Sequence, residues 1–328
     1  MLKKLKRITL LILIFCLGIV GYYTYSFAQF AMTISKPKVV ASGNTSQESE
    51  VQKPPVYELP EWEGTERVNI LLLGGDGRVV EDAGRSDSMM LVSIEPGTNQ
   101  IHLFSILRDT YVNIPGHGKN KINAALAFGG PELSMKAVSD LIGLPVHYYY
   151  YIDLDSFIKL VDAVGGVELE VEKDMKYLDP TDKPEYQINL KKGMQLLDGN
   201  KALQYVRFRK DAMSDYTRTE RQRKFLGAMA EKLQSTSTLV SLPSLLKEIA
   251  PYIQTNMSPE KMLKLAVSLH KGGTRTIHTA QLPPMELLRE EKINGAAVIT
   301  VNATQLQKYV TGQLQQTETK NEEQPSVQ

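Results

Sequence analysis

The chain begins with one long apolar segment, and the rest alternates short apolar runs with amphipathic stretches. No charged residue occurs between Arg7 and Lys36. Residues 68–73, 89–94 and 101–107 are short runs rich in β-branched side chains, separated by Gly, Asp, Pro and Asn. Runs of this length with turn residues between them are typical of buried strands. The pattern therefore predicts three strands early in the folded region.

Longer amphipathic segments follow and predict helices between further strands. Residues 123–128 and 132–141 have helical spacing and end at Gly129–Gly130 and Gly143, because glycine commonly terminates helices. The remaining predicted helices are 156–164, 215–233 (with Asp215 as a possible cap), 242–252 and 259–270, and the remaining predicted strands are 146–152, 167–171, 276–282 and 297–301. Alternating strands and helices favour a layered α/β domain with a mixed central sheet. We expect a single extracellular domain over residues 65–312.

The N-terminal apolar segment predicts a membrane anchor. Residues 8–30 are long enough to cross a bilayer, and Tyr22, Tyr23 and Tyr25 lie where an interfacial aromatic belt is expected. Residues 1–7 carry four basic side chains, which predicts a cytoplasmic N-terminus, a single-pass protein in the cell membrane and an exported main domain. A cleaved signal peptide is the alternative, since Ser26 and Ala28 place small residues at a possible cleavage site.

Two polar segments flank the expected domain. Residues 31–64 contain a stretch rich in Ser, Thr, Gln, Glu and Pro without apolar periodicity, which predicts a flexible extracellular linker. Residues 313–328 are similarly polar and predict a disordered tail. The single cysteine, Cys16, lies in the apolar segment, which excludes an intramolecular disulfide framework and a cysteine metal cluster.

Charge excludes a globally basic nucleic-acid binder. The formal net charge is +1, and without the four basic residues of the N-terminus the chain carries 34 basic and 37 acidic residues, a net charge of −3. One segment departs from this balance. Residues 201–224 hold eight basic and three acidic side chains. This basic segment is either a solvated face or, since several of its members are forked arginine donors, a phosphate or pyrophosphate site.

Acidic residues follow one predicted strand and precede the next. Asp76 lies in the Gly-rich turn after the first strand, and Asp87 precedes the second. If the two strands are neighbours, both carboxylates face one metal, and hard oxygen ligands without His or Cys suit Mg²⁺ or Mn²⁺. If they are not, Asp76 belongs to a tight turn and Asp87 is an ordinary loop acid.

Arginines mark two further candidate positions. Arg108 and Asp109 end the third predicted strand, where a charge must be paired or face a cleft. Arg207 and Arg209 point the same way if their segment is extended, and Arg218, Arg221 and Gln222 share a face at helical spacing. The five histidines show no metal-ligand spacing, and the serines lack the Gly-x-Ser-x-Gly context of hydrolases.

Seven motifs in this order resemble the LytR-CpsA-Psr family of bacterial wall enzymes. They are Asn69-Ile70-Leu71-Leu72-Leu73-Gly74 with Asp76 and Arg78, Gly84-Arg85-Ser86-Asp87-Ser88, Leu107-Arg108-Asp109-Thr110, Lys121-Ile122-Asn123-Ala124-Ala125, Val161-Asp162-Ala163-Val164-Gly165-Gly166-Val167, the run from Leu197-Asp198-Gly199 to Arg207-Phe208-Arg209, and Asp215 with Arg218, Arg221 and Gln222. Gly75 and Leu126 depart from the usual pattern without touching a charged motif position.

The resemblance implies an α/β fold with a mixed central sheet and a long hydrophobic pocket for a polyprenyl chain. It also implies an enzyme, a phosphotransferase that moves an anionic glycopolymer such as wall teichoic acid or capsule. The donor would be a polyprenyl pyrophosphate carrier in the membrane and the acceptor a peptidoglycan hydroxyl. A lipid-pyrophosphate pyrophosphatase and a non-catalytic module that binds wall polymer are the alternatives.

The resemblance also implies roles for individual residues. Asp76 and Asp87 correspond to Mg²⁺ ligands, with Mn²⁺ as a substitute. The residues implied to hold the pyrophosphate are Arg85, Arg108, Lys121, Arg207, Arg209, Arg218, Arg221 and Gln222, with Arg78 as a weaker addition. Arg85, Asp87, Arg108 and Asp109 are the implied catalytic residues, and either Asp87 or Asp109 would deprotonate the acceptor hydroxyl.

Overall fold

The structure is a computed structural model that describes residues 2–35, 59–75, 84–98, 100–178, 186–211, 214–271 and 276–322. The helices in these ranges are α1 (Leu2–Ile34), α2 (Ala124–Ile142), α3 (Leu154–Ala163), α4 (Gly199–Arg207), α5 (Ser214–Leu233), α6 (Thr236–Ile249), α7 (Pro259–Lys271) and α8 (Ala303–Glu322), with a short 3₁₀ turn at Ala250–Tyr252.

The strands in the same ranges are β1 (Val68–Gly75), β2 (Ser86–Glu95), β3 (Gln100–Ile106), β4 (Tyr111–Ile114), β5 (Gly118–Lys121), β6 (Tyr148–Asp153), β7 (Val167–Val171), β8 (Met175–Tyr177), β9 (Ile188–Leu190), β10 (Gly193–Leu197), β11 (Gln254–Thr255), β12 (Thr276–Leu282), β13 (Leu288–Ile293) and β14 (Ala296–Val301). The predicted strands and helices are all present, with boundaries moved by a few residues. The sequence did not predict the hairpin β4–β5, the strands β8 to β11 and β13, or the helices α4 and α8.

The central sheet is mixed, as predicted. Its six strands run in the order β11-β6-β1-β2-β3-β12. β1 pairs antiparallel with β2 and parallel with β6, while β3 pairs antiparallel with β2 and parallel with β12. Because β1 and β2 are antiparallel neighbours, the end of β1 and the start of β2 lie at the same edge of the sheet.

Both faces of the sheet are buried, which explains why its strands are nearly continuous apolar runs. Leu71 and Leu73 of β1 pack on one side with α2 and α8. Val68 and Ile70, which alternate with them, pack on the other side with Trp62 and with α1 and α7. Full burial of a leucine side chain contributes roughly 1.5–3 kcal/mol, so this alternation fixes the register of β1.

Glycine conformation divides α2 where the sequence predicts a break. Gly130 has φ 72°, a left-handed value that favours glycine, and Pro131 follows it. The helix ends at Gly143, whose φ of 73° again lies in the left-handed region. The break turns α2 so that both of its halves pack on the sheet.

A second helical layer covers part of the other face and holds the segments that matter for function. α3 starts at Asp153, whose side chain accepts a hydrogen bond from the Ser156 amide at 2.7 Å. α4 starts in the same way at Asp198, which accepts from the Lys201 amide at 2.8 Å. The Gly199 amide donates to Asp162 Oδ1 at 2.8 Å, which ties the start of α4 to the end of α3.

The two segments that flank the predicted domain contain packed residues that the sequence did not predict. α1 continues past residue 30, where Ala31 and Ile34 are buried, and Ser35 Oγ donates to the Met257 carbonyl at 2.7 Å. Trp62, inside the predicted linker, is fully buried. α8 continues past residue 312 with Leu314 buried. Residues 36–58 of the predicted linker and 323–328 of the predicted tail lie outside the described residues.

Among the described residues, no helix combines the length and the apolar character that crossing a bilayer requires.

We predict that Gly199→Ala destabilises the fold because α4 starts in contact with α3. A Cβ at Gly199 would lie 2.3 Å from the Ile158 carbonyl oxygen, so the backbone must shift. We expect a loss of about 1–3 kcal/mol in the free energy of unfolding, measured by chemical denaturation.

Gly227→Ala in α5 is the matched control, because a Cβ there would meet nothing within 4 Å. Alanine is the better helix former by about 1 kcal/mol, so this variant should be equally or more stable than wild type. Equal stability of the two variants would contradict the proposed packing of α4 on α3.

Candidate functional site

A cavity of about 820 Å³ lies between the central sheet and the layer formed by α3, α4 and α5. Its base includes Tyr150, Leu72 and Met90, which are direct cross-strand neighbours on β6, β1 and β2. Its other apolar lining residues include Phe157, Leu160, Leu203, Val206, Phe225, Leu226, Met229 and Ile253. Most of the lining is therefore hydrophobic, as expected for a site that holds a hydrocarbon chain.

One end of this cavity is lined by charged and polar side chains, and we call it the polar end. Its members are Asp87, Ser88, Arg108, Arg207, Arg209, Lys210, Arg218 and Gln222. They come from four separate segments: the start of β2, the residues after β3, the end of α4 with the residues after it, and the first half of α5. The fold thus brings distant arginines to the edge of an apolar cavity.

Asp87 is paired with two of these arginines. Its Oδ1 accepts a hydrogen bond from Arg108 Nη1 and lies 3.4 Å from Arg209 Nη2. The Asp87 and Arg209 side chains are each about one-third exposed, at 36% and 34%, so the polar end is open to solvent.

Asp215 contacts three arginines from behind the lining. Its Oδ1 lies 2.6 Å from Arg218 Nη2 and 3.8 Å from the Nε atoms of both Arg108 and Arg209. Arg108 Nε also lies 3.8 Å from Asp109 Oδ2, and Asp109 Oδ1 lies 2.7 Å from Lys121 Nζ. Acidic and basic side chains therefore alternate through the site.

Positive charge is nevertheless in excess. The pKa of Arg218 is lowered to about 10, mainly by burial and in part by the charges of Arg209 and Arg108, against the opposing effect of Asp215. Burial, and then the charge of Arg108, also lowers the pKa of Arg209. Both guanidiniums remain charged at neutral pH, and an incoming anion would relieve their mutual repulsion. The electrostatics of the polar end therefore favour a polyanion.

Gln222 and Arg207 complete the polar end. Gln222 Oε1 accepts a hydrogen bond from Ser88 Oγ at 3.1 Å, and its Nε2 donates to the Val206 carbonyl at 3.3 Å. Arg207 Nη1 donates to the Tyr186 carbonyl at 3.3 Å, and its guanidinium lies 5.2 Å from the Tyr186 ring centroid. These contacts fix the positions of the two side chains in the cavity lining.

The arrangement matches a known protein family. A model of the LytR_cpsA_psr family matches residues 25–315. The chain belongs to the LytR-CpsA-Psr family. This confirms the expected family and its α/β fold.

Related proteins are named as transferases or bind lipid-linked ligands. TagU of Oceanobacillus iheyensis, a polyisoprenyl-teichoic acid–peptidoglycan teichoic acid transferase, is 34% identical over 76% of this chain and 77% of its own. The family protein YwtF (TagT) with bound octaprenyl pyrophosphate lipid has a TM-score of 0.57 and 27% identity, over 78% of this chain and 92% of that one. TagT, a Bacillus subtilis protein, bound to LI-WTA has a TM-score of 0.60 and 28% identity, over 78% and 93%.

Most of the site residues expected from the LytR-CpsA-Psr resemblance come together. Asp87, Arg108, Arg207, Arg209, Arg218 and Gln222 line the cavity. Asp109 is linked to them through its ion pair with Arg108, and Lys121 is linked through its ion pair with Asp109. Arg85 is exposed at the start of β2 and is not among the lining residues of the described chain. Asp76 and Arg78 lie outside the described residues.

Arg221 lies apart from the polar end. Its Nε contacts Glu172 Oε1 at 2.6 Å, its Nη2 pairs with Asp211, and its Nη1 donates to the Phe208 carbonyl at 3.1 Å. Successive α-helical residues are rotated by about 100°, so Arg221 and Gln222 fall on opposite sides of Arg218. The three side chains still lie within an arc of about 100° on α5. In the described chain, however, Arg221 pairs with Glu172 and Asp211 and does not line the cavity.

The predicted geometry of Arg207 and Arg209 also needs correction. α4 runs through Arg207, and only Phe208 between them is extended, with φ −60° and ψ 130°. Both side chains still line the cavity, because the chain turns at Phe208. Sequence reasoning also missed Tyr186, counted Lys210 only as part of the basic segment 201–224, and gave Asp215 a place in a family motif and a possible cap role but no role in the site. Neither Tyr186 nor Lys210 stands in a recognisable motif, since tertiary packing places both.

The described residues agree only in part with a divalent-metal site. They contain no group of three or more His, Cys, Asp or Glu side chains that could hold a metal ion. Asp87 is a hard oxygen donor at the polar end, while Asp76 lies outside the described residues. Mg²⁺ commonly binds through one or two carboxylates together with substrate phosphates, so Asp87 fits a Mg²⁺ ion that arrives with its substrate.

We predict that Arg221→Ala acts on stability. Arg221 is 5% exposed and paired with two carboxylates, so its removal leaves Asp211, which is also 5% exposed, with less compensation. Breaking a buried pair typically costs about 3–5 kcal/mol, and chemical denaturation should show a loss of this size.

Arg289→Ala is the control for this prediction, because Arg289 is exposed on β13. Its free energy of unfolding should stay within about 0.5 kcal/mol of wild type. If Arg221→Ala is as stable as wild type but no longer binds a polyprenyl pyrophosphate, Arg221 instead belongs to the substrate site.

Proposed function

We propose that this LytR-CpsA-Psr protein transfers an anionic glycopolymer, such as wall teichoic acid or a capsule-like polymer, from a polyprenyl pyrophosphate carrier to a peptidoglycan hydroxyl. The observation that carries the proposal is the junction between an apolar cavity of about 820 Å³ and a cluster of arginines at one end. A polyprenyl pyrophosphate has the same two parts, a hydrocarbon chain and a doubly phosphorylated head. The names of the relatives support the same reaction class.

The arginines supply what phosphoryl transfer requires from a protein. Guanidinium groups donate two parallel hydrogen bonds to phosphate oxygens and stay charged, so they suit a pyrophosphate better than lysine does. Three segments bring arginines to the polar end, which allows these side chains to surround the head group. The arginines are Arg108 after β3, Arg207 and Arg209 at and after the end of α4, and Arg218 in α5. Fixed cations of this kind stabilise the charge that develops on the leaving group and on the transferred oxygens.

The proposed reaction breaks the phosphoanhydride bond of the donor and forms a phosphoester bond to the acceptor. The acceptor hydroxyl oxygen attacks the phosphorus that carries the glycan, and the bond from this phosphorus to the bridging oxygen breaks. Polyprenyl phosphate leaves with that oxygen, stabilised by the arginines. The hydroxyl proton passes to a carboxylate near the polar end, for which Asp87 and Asp109 are the candidates. No redox partner is needed.

A Mg²⁺ ion, or Mn²⁺ in its place, completes the proposed site. Asp87 would hold it together with Asp76 and the substrate phosphates. The ion would supply additional positive charge at the phosphoryl oxygens. The residues of the chain then have the tasks of binding the head group, orienting it and accepting the proton.

We further propose that α1 anchors the protein in the cell membrane, with the main domain outside. The donor lipid is confined to the same membrane, so tethering raises the effective concentration of enzyme and donor for each other. The described part of α1 supports a close approach of the domain to the helix, since Tyr23 Oη donates to the Val240 carbonyl of α6 at 3.0 Å.

We predict that transfer depends on Mg²⁺, Asp87 and the arginines. The full chain in detergent would be given a synthetic polyprenyl-pyrophosphate glycan and peptidoglycan fragments, with release of polyprenyl phosphate and glycan transfer measured separately. Wild type should lose activity with EDTA and recover it with Mg²⁺. Asp87→Asn, Arg108→Ala and Arg207→Ala should each fall at least about 100-fold, the usual cost of one transition-state donor.

Arg289→Ala is the arginine control and should keep wild-type activity, because this side chain is exposed on β13 and does not line the cavity in the described part of the chain. Thermal melts would confirm that every variant is folded. Release of polyprenyl phosphate without transfer, with or without acceptor, would identify a pyrophosphatase. If the protein binds the donor more weakly at high salt, is unaffected by EDTA and releases no polyprenyl phosphate, it is a binding module.

A further inference from the structure

The carboxylate of Asp215 joins three arginines of the polar end. Arg218 Nη2 lies 2.6 Å from its Oδ1, and the Nε atoms of Arg108 and Arg209 lie 3.8 Å from the same oxygen. All three arginines line the cavity, whereas Asp215 is not among the lining residues of the described chain. The substrate therefore meets the arginines, and the arginines meet Asp215 behind them.

The surroundings of Asp215 leave its charge little solvent. Both carboxylate oxygens are buried, and neither has a hydrogen bond of good geometry within the described residues. Its closest partner, Arg218, has a side chain that is only 3% exposed. Burying a carboxylate is costly unless nearby cations compensate for it, so Asp215 and these arginines depend on one another.

A simpler role, as an acid near a helix N-terminus, does not account for this geometry. Asp215 does lie in the first turn of α5, where negative charge is favourable. Glu260 occupies the equivalent place in α7 and is exposed. The Oδ1 atom of Asp215 instead lies 3.8 Å from Arg108, in the segment after β3, and 3.8 Å from Arg209, in the segment after α4. An exposed side chain would serve the helix equally well.

We propose that Asp215 is a positioning residue that orients Arg108, Arg209 and Arg218 toward the pyrophosphate head group. It acts through the arginines and does not itself touch the substrate. The proposal rests on the proposed transfer function, which it deepens by adding a residue to its machinery.

This role predicts opposite effects on binding and on turnover. Replacing the carboxylate with an amide removes one negative charge from an anion site, so electrostatics alone would strengthen pyrophosphate binding. The three guanidiniums would at the same time lose their common partner and repel one another. Because a misplacement of about 1 Å can cost roughly 100-fold in rate, turnover should fall even though binding does not.

The experiment compares full-length wild type and Asp215→Asn in detergent. We expect kcat for glycan transfer to fall about 30- to 100-fold. The Kd for inorganic pyrophosphate, measured by titration calorimetry, should stay within about threefold of wild type or become tighter, since a net positive charge is gained. Asp215→Glu, which keeps the charge one methylene further out, should recover most of the lost kcat.

Two further variants separate positioning from general stability. Glu260→Gln, the matched first-turn acid of α7, should leave kcat unchanged. Arg218→Lys combined with Asp215→Asn should lose less activity than the product of the two single losses, because both changes disturb the same interaction.

The outcomes distinguish this proposal from the transfer function. Wild type without transfer would count against the proposed function, while Asp215→Asn with wild-type kcat would count against the positioning role alone. Joint loss of kcat, pyrophosphate binding and thermal stability would make Asp215 merely structural. Crystal structures test positioning without any turnover: we expect displaced Arg209 and Arg218 guanidiniums in Asp215→Asn, and unchanged positions would overturn the role.

Discussion

Repulsion among arginines at the edge of an apolar cavity is the constraint on which the site depends. Coulomb energies grow as the local dielectric falls, so guanidiniums that crowd beside a hydrophobic wall repel each other more than they would in water. The lowered pKa of Arg218 reflects this repulsion in part, since it is caused first by burial and then by the positive charges of Arg209 and Arg108. Asp87 and Asp215 sit between the cations and hold them apart without neutralising them. The remaining positive charge makes a polyanion the natural completion of the site.

Sheet topology decides where these charges meet. In the parallel and antiparallel pairings, the end of β1 lies beside the start of β2 and the end of β6, with Gly75 opposite both Ser86 and Asp153. Met90 of β2 is paired with Ser105 near the end of β3, so Arg108 emerges at the same edge. Ligands of open α/β sheets commonly bind outside the carboxyl ends of strands, and here the ends of β1, β3 and β6 share that edge. The helices α4 and α5, which lie across the cavity from the sheet, add their arginines at this edge.

The sequence predicts the frame of this site better than its details. Strand runs and glycine boundaries identify the sheet and α2 because local patterns determine them, and Asp87 and Arg108 follow from their places beside strands. The roles of Arg221 and Asp215 depend on tertiary contacts. Arg221 pairs with Glu172 and Asp211, and the buried carboxylate of Asp215 lies near arginines from segments distant in sequence. No spacing rule contains this information. The burial of Trp62 in a polar region was missed for the same reason.

The relative strengths of two interactions indicate which part of the proposed donor the site selects. Burying a methylene from water is worth about 0.8 kcal/mol, but a polyprenyl chain in a membrane is already in a hydrocarbon environment and gains little of this on entering the cavity. Each charge-assisted hydrogen bond to an arginine contributes roughly 1.5–3 kcal/mol. The head group therefore dominates affinity, and the apolar cavity mainly sets where the chain lies. Under the proposed function, selection between lipid-linked donors then depends on the polar end, where the pyrophosphate head group would lie.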